Sequence, residues 1–389
     1  MTRACCLLTA GLLVLSGADG SAQVAPPRGI YVYSYPRFVE NGDYERAMAV
    51  KGVDGAAVVL QWAEIEPKKD VFDFTELDRR VQLARSHGLA IELAILAGGG
   101  VPDWLYAPAP AGVGARRLDL VFSHHGGKGH TLPVTMAPPW DAAYVGAFAV
   151  MLAQVADHLG KTGALPYVSV AKLTGINTDT DEMRLPNETP ESTGNPSVTD
   201  AISAWRSAGY RPALVVEAMR GVAAAWARAF PGVWKVLPII PQNSFPPVGE
   251  GGQVVDGRQA QLVVRRLLDE LAAAAEEANR GRFILQMDWL NADQPVRPRV
   301  MEIAGRLGVP VAWQTNFYLG HEGKGAGCGG EFGATSHCDN ASFLRMLEAG
   351  IAPKGGSGAN ARGTFIELFP PDVLEYASAV WQAHQEMLK

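Results

Sequence analysis

From Gly29 onward the chain repeats one local plan: a short apolar, β-rich run, then a segment of helical periodicity. The predicted strands are Gly29–Tyr35, Gly55–Trp62, Ala90–Gly98, Tyr167–Ile176, Val233–Ile240, Arg282–Leu290, Val309–Tyr318 and Gly363–Pro370. Neighbouring parallel strands need helical crossovers, so eight such units read as a closed α/β structure, a single (β/α)8 TIM barrel spanning 23–389. An open doubly wound sheet is the alternative, but no Gly-rich phosphate fingerprint follows the first strand.

The helices carry their own punctuation. Thr75 to Asp78 resembles a capping box, and that helix stops at His87-Gly88. Asp141 to Leu159 is long and amphipathic, Gln259 to Asn279 ends before Gly281, Asn340 reads as a cap, and Pro371 stands in a first turn. Neither a repeat of solenoid period nor a low-complexity linker divides the 389 residues. Two long loops, Val101–Pro139 and His321–Asp339, follow predicted strands three and seven, and structureless loops of that length are usually binding loops or lids.

Residues 1–22 read as a signal peptide. Arg3 is a short basic region, Ala4 to Ser16 is an apolar stretch too short to span a bilayer, and Gly20-Ser21-Ala22 is a cleavage site. A secreted or periplasmic protein is the expectation. Cys5 and Cys6 leave with the leader, and Cys328 and Cys338 lie in one glycine-rich loop, where an exported chain most simply forms a disulfide. The net charge of −6 argues against a nucleic-acid footprint and a polybasic membrane patch. A monomer without cofactor or metal is expected.

Alternate residues of a barrel strand face the axis. That period aligns Glu92 in strand three, Lys172 and Thr174 in strand four, and Gln286 and Asp288 in strand six. It also aligns Gln314 and Asn316 in strand seven with Glu367 in strand eight. Glu92 and Lys172, on neighbouring strands, read as a structural ion pair; Asp288, Gln314, Asn316 and Glu367, at C-terminal ends, read as site residues. Trp62, Trp104, Trp289, Trp313 and Tyr318 sit at or just past strand ends. Each could simply cover the barrel end, but five aromatic rings at one rim favour sugar binding, because a flat apolar ring matches the C–H face of a pyranose.

The segment Val58–Trp104 resembles the opening of the retaining glycoside hydrolases of the large (β/α)8 clan that contains β-galactosidases, cellulases and xylanases. Trp62, Glu66 and Pro67 match W-x-x-I-E-P; Phe72, Asp73 and Phe74 match F-D-F/W; Pro102 and Trp104 match P-x-W. The resemblance implies a glycosidase acting on a poly- or oligosaccharide. It also implies an acid/base Glu in an Asn-Glu pair after strand four and a nucleophile Glu at the end of strand seven. This chain departs at both places: Asn177 is followed by Glu only at Glu182, and Gln314 stands where the second Glu belongs.

The stretch Tyr167–Pro186 breaks at Gly175 and delivers Asn177, Asp179, Asp181 and Glu182 beyond strand four. Glycoside hydrolysis usually needs two carboxyl groups, one protonated and one ionised. Glu182 is assigned the acid, its pKa raised by Asp179 and Asp181 nearby, with Asn177 and Asp181 binding substrate. A solvated acidic loop or a bound cation is the competing reading of that run. Glu367 is first choice for the second carboxylate, being a Glu inside an apolar strand, although a purely structural Glu367 is the near rival. Its place opposite strand four suits a wide carboxyl separation and an inverting reaction. Asp288 is the runner-up, and Glu322 or Glu331 could swing in. His124, His125 and His130 lack the i, i+4 spacing of a helical zinc site. A non-catalytic carbohydrate-binding barrel and a metal-assisted hydrolase remain the alternatives.

Overall fold

The computed structural model describes residues 25–34, 39–123, 131–240, 244–292, 297–315 and 338–389. In chain order its strands are β1 (Gly29–Val32), β2 (Val53–Gln61), β3 (Ala90–Leu96), β4 (Leu118–Ser123), β5 (Thr131–Met136), β6 (Val168–Lys172), β7 (Trp234–Ile239), β8 (Phe283–Leu290), β9 (Val311–Thr315) and β10 (Gly363–Leu368). All eight predicted strands enter one closed parallel barrel, ordered β1-β10-β9-β8-β7-β6-β3-β2, and β4 and β5 form a separate two-stranded sheet.

That extra sheet corrects the expectation of a structureless loop after the third barrel strand. Residues 101–139 hold a 3-10 turn at Asp103–Tyr106 and the antiparallel hairpin β4–β5. Leu120 and Phe122 on one strand, with Val134 and Met136 on the other, are buried while their neighbours are more open. This period of two marks a sheet covering the core with one face. Two caps also differ from expectation. Asp339, rather than Asn340, caps the helix Asn340–Ile351 in a reciprocal pairing with Ser342. The helix Thr75–Ser86 starts after Asp73, whose carboxylate accepts from the Thr75 N–H at 2.9 Å, rather than through a box at Thr75 to Asp78.

Inside the barrel the side chains stack in layers, as the closed geometry demands. Tyr31, Val170, Trp234, Val236, Ile284, Ala312 and Phe365 make an apolar cluster along the axis. Two residues further along their strands, Phe365 gives way to Glu367, Val170 to Lys172, Ile284 to Gln286 and Ala312 to Gln314. These four polar residues are also buried. The floor of the barrel is therefore apolar, and the layer above it is polar.

Candidate active site

The loop that follows β6 is tied down at every turn. Gly175 has φ 120°, and a Cβ there would lie 2.9 Å from the Val222 side chain, so glycine alone fits. Its N–H donates to Asn177 Oδ1 at 3.0 Å, and Asn177 Nδ2 donates to the Thr180 carbonyl at 2.9 Å. Asn177 thus uses one bond at each end of its amide to hold the loop. At the end of β3, Gly98 lets the loop backbone approach closely: a Cβ there would sit 1.8 Å from the Asn177 carbonyl oxygen.

So held, the loop drops Asp181 onto the amine of Lys172. The Tyr33 hydroxyl, just past β1, donates to the other Asp181 oxygen at 2.8 Å. Lys172 Nζ also donates to Glu367 Oε2 at 2.8 Å, while Glu92 Oε1 stands 3.9 Å away. The expected Glu92–Lys172 ion pair is present but is the longest of three: the ammonium also bonds Asp181 and Glu367 directly. The same Glu367 oxygen accepts from Gln314 Nε2 at 3.0 Å and from Gln286 Nε2, which also donates to Asp288 Oδ1 at 3.1 Å. Lys172 thus occupies the gap between loop and β10 in which a wide carboxyl separation was expected.

Protonation follows from this crowding. Burial is opposed by the charges of Asp181, Glu367 and Glu92, which hold the Lys172 ammonium well above the ordinary lysine range. Burial, then the charge of Glu367, pushes Glu92 well above the carboxylate range, against a lowering by Lys172. Burial, then Glu182 and Asp181, does the same to Asp288. Glu182 is raised by burial and Asp181, against a lowering from Arg184. Asp179 does not take the part expected of it in raising Glu182; it faces Arg184 at 3.7 Å.

One oxygen each from Asp181, Glu182 and Asp288 lies within 4.8 Å of the other two. Glu182 Oε2 and Asp288 Oδ2 are buried and accept no hydrogen bond from the described residues. A cleft of about 840 Å³, whose walls include Tyr33, Gln61, Arg79, Leu132, Asp179 and Thr180, meets the cluster through Tyr33, the donor to Asp181; the three acids are not among its walls.

The aromatic assignments divide. Trp62 and Trp313 are fully buried, with indole N–H groups given to Glu66 Oε2 at 2.9 Å and the Gly350 carbonyl at 2.8 Å. Neither offers a face to a sugar, which corrects both: they pack the layer between barrel and helices. Trp104 is half-buried, edge-on to Trp62 at 6.0 Å and donating to the Glu66 carbonyl at 2.9 Å. Trp289 is half-buried beside Asp288. Asn316, Tyr318, Cys328, Glu322, Glu331 and the three histidines at 124, 125 and 130 lie outside the described residues, as does one half of the Cys328–Cys338 pairing. The reading of the residues passed over Tyr33 and placed Lys172 in a lesser role. Lys172 carried a usable signal, since a lysine inside the apolar run VSVAKL is as costly as the glutamate in TFIELF.

A glycoside hydrolase family model described as beta-galactosidase matches residues 39–145. Among solved structures, the chain is similar to the catalytic domain of a beta-amylase from Paenibacillus polymyxa, with 12% identity over 92% of this chain and 99% of that one and a TM-score of 0.56. An intracellular xylanase from Thermoanaerobacterium saccharolyticum, solved as a mutant in complex with xylotriose, aligns at 13% identity over 88% of this chain and 85% of that one, TM-score 0.47. No curated protein matches. The structural likeness is one of fold, a closed (β/α)8 barrel, and the segment matched by the family model ends before β6, so the carboxyl cluster lies beyond it.

Proposed function

We propose that this (β/α)8 barrel is a glycosidase in which Glu182 is the general acid and Asp288 the second carboxylate. The observation that carries the reading is the approach of these two acids, within 4.8 Å, at the C-terminal mouth of the barrel. Two carboxyl groups this close titrate as a pair, so that one keeps its proton while the other ionises. That is the state glycoside hydrolysis needs: an acid for the leaving oxygen and a carboxylate for the anomeric carbon. Acids whose oxygens come within 4.8 Å leave little room for the water that an inverting pair, roughly 6.5–9.5 Å apart, holds between them, so we assign a covalent glycosyl intermediate on Asp288 and net retention.

In this mechanism the coupled pair shares one proton, and Glu182 delivers it to the leaving oxygen as the Asp288 carboxylate attacks. The deprotonated Glu182 then takes a proton from a water whose oxygen bonds the anomeric carbon, which breaks the bond to Asp288, releases the sugar and restores both groups. Glu367 is held by Lys172 and two amides, so we give it a supporting role: with Asp181 and Lys172 it sets the field in which the catalytic pair titrates. The cleft of about 840 Å³ falls in the usual range of ligand sites and is assigned to the glycan. The leader read in residues 1–22 supports export, with a poly- or oligosaccharide met outside the cytoplasm.

A second reading rests on the same triangle, because three carboxylate oxygens from Asp181, Glu182 and Asp288 are a donor set for a hard cation. The Lys172 ammonium already bonded to Asp181 works against it. Reducing-end release across a panel of plant, fungal and bacterial glycans, with Glu182→Gln and Asp288→Asn alongside, tests the proposal. Release that both substitutions abolish and that chelator leaves intact supports it. Release that survives Glu182→Gln refutes it, loss on chelation favours the cation, and glycan binding without release favours a carbohydrate-binding barrel.

A further inference from the structure

β8 breaks its period immediately after Asp288. Asp288 pairs with Gln314 of β9 and Leu290 with Thr315, so Trp289 is the extra residue of a bulge. Regular alternation would turn Leu290 inward, in phase with Gln286 and Asp288, and set an apolar side chain in the charged mouth. The bulge sends Leu290 outward instead, where it is buried and would lie 3.0 Å from a Cβ placed on Gly350.

The backbone is strained to do this. Trp289 has φ 105°, a conformation that glycine enters freely and a residue with a Cβ does not. Its carbonyl accepts from Arg297 Nε at 2.6 Å, and Arg297, at φ 40°, stands immediately before the helix Pro298–Leu307. Among the described residues only Asp70 shares a positive φ without being glycine. Two of these three rare conformations are therefore joined by one hydrogen bond, next to a fully buried carboxyl. Strain of this kind persists where the surroundings over-determine it, and it clusters at functional sites.

We propose that Arg297 is a positioning residue for Asp288. Its guanidinium grips the Trp289 carbonyl and holds the bulge in its left-handed form, which keeps Asp288 beside Glu182 and Leu290 out of the mouth. The inference rests on the reading of Asp288 as the second carboxylate.

Two experiments test it, and the first needs no activity. Trp289→Gly and Trp289→Ala lose the same indole, but only glycine relieves the φ, so the Gly variant melts above the Ala variant. In an ordinary strand the order reverses, and an Ala variant that melts higher overturns the proposal. The second follows Asp288 itself, by its carboxyl 13C titration, in Arg297→Gln. Release of the bulge moves Asp288 away from Glu182, and its titration falls towards the ordinary aspartate range by about one pH unit or more. Reducing-end release drops about tenfold in kcat at unchanged KM, and Arg297→Lys, which can still donate to the carbonyl, recovers part of it. A lowered melting temperature with the Asp288 titration unmoved makes Arg297 merely structural and overturns the proposal. Asp288→Asn that leaves release intact removes the catalytic reading alone, since the melting order and titration stand without it.

Discussion

Replacing Lys172 by Met removes the one cation that the described carboxyl cluster contains and leaves its shape nearly filled. Nζ lies 2.8 Å from Glu367 Oε2 and bonds Asp181 directly, with no exposure to solvent. At an effective dielectric of about 20, a contact of 2.8 Å is worth about 6 kcal/mol gross. Desolvating the ions offsets most of that, yet removing a single partner strands the others, and such losses run to about 3–5 kcal/mol. For a chain of this size that is a fall in Tm of about 4–6 °C. The sign with pH is fixed. The native ammonium is held above its ordinary value, so the wild-type contribution is complete below the unfolded lysine pKa near 10.5 and is lost as pH rises through the native one. In Lys172→Met the stranded carboxylates relieve the cost by binding protons, so the deficit is largest near pH 7 and shrinks towards pH 4. Urea unfolding of both proteins at pH 4, 7 and 9 measures it. A deficit below about 1 kcal/mol at pH 7, or one independent of pH, refutes the view of Lys172 as the keystone of the cluster.

Glu92, raised well above the carboxylate range, favours folding below its unfolded pKa near 4.5 and forfeits that as pH climbs through its native value. Glu92→Gln should therefore match wild type at pH 4 and unfold at higher urea at pH 8. Glu182→Gln should lower kcat by about 10²–10⁴ with little change in glycan binding. Because burial and Asp181 raise the Glu182 pKa, wild-type release should decline on the alkaline side as that proton is lost, which a pH–rate profile will record. Trp62→Ala should cost about 3–5 kcal/mol in chemical denaturation and leave KM unaltered, as a buried packing residue does and a sugar platform does not.

The barrel could be read because its signal is distributed: each strand is an apolar run and each crossover a helix, so an error at one boundary leaves the count intact. The inward phase of Glu92, Lys172, Gln286, Asp288, Gln314 and Glu367 was legible for the same reason, since a charge within an apolar strand is costly unless it meets a partner. Which partner it meets was not legible. Lys172 is two positions from Val170, which pairs in register with Glu92, yet its amine reaches along the axis to Asp181 and Glu367, a choice made by side-chain length and loop closure. Trp62 and Trp313 show the converse limit. A tryptophan at a strand end looks alike whether it faces sugar or helix, and only the position of its N–H acceptor separates the two. The hairpin β4–β5 escaped because short alternating runs between glycines and prolines resemble loop composition.

Closure of the barrel has a consequence for how the molecule is made. Lys172 belongs to the middle of the chain and Glu367 to its last strand, 195 positions later. β10 completes the ring by pairing with both β1 and β9. Until it does, Lys172 has only Asp181 and Glu92 from the chain before β10 as partners, and the Glu367 carboxylate has no cation to meet. The chemistry thus acts as a latch on assembly: the bond that fastens the last strand is drawn from the same residues that set the field of the site. Fragments ending before β10 should therefore remain expanded, and the folded population should appear all at once with the return of the final strand.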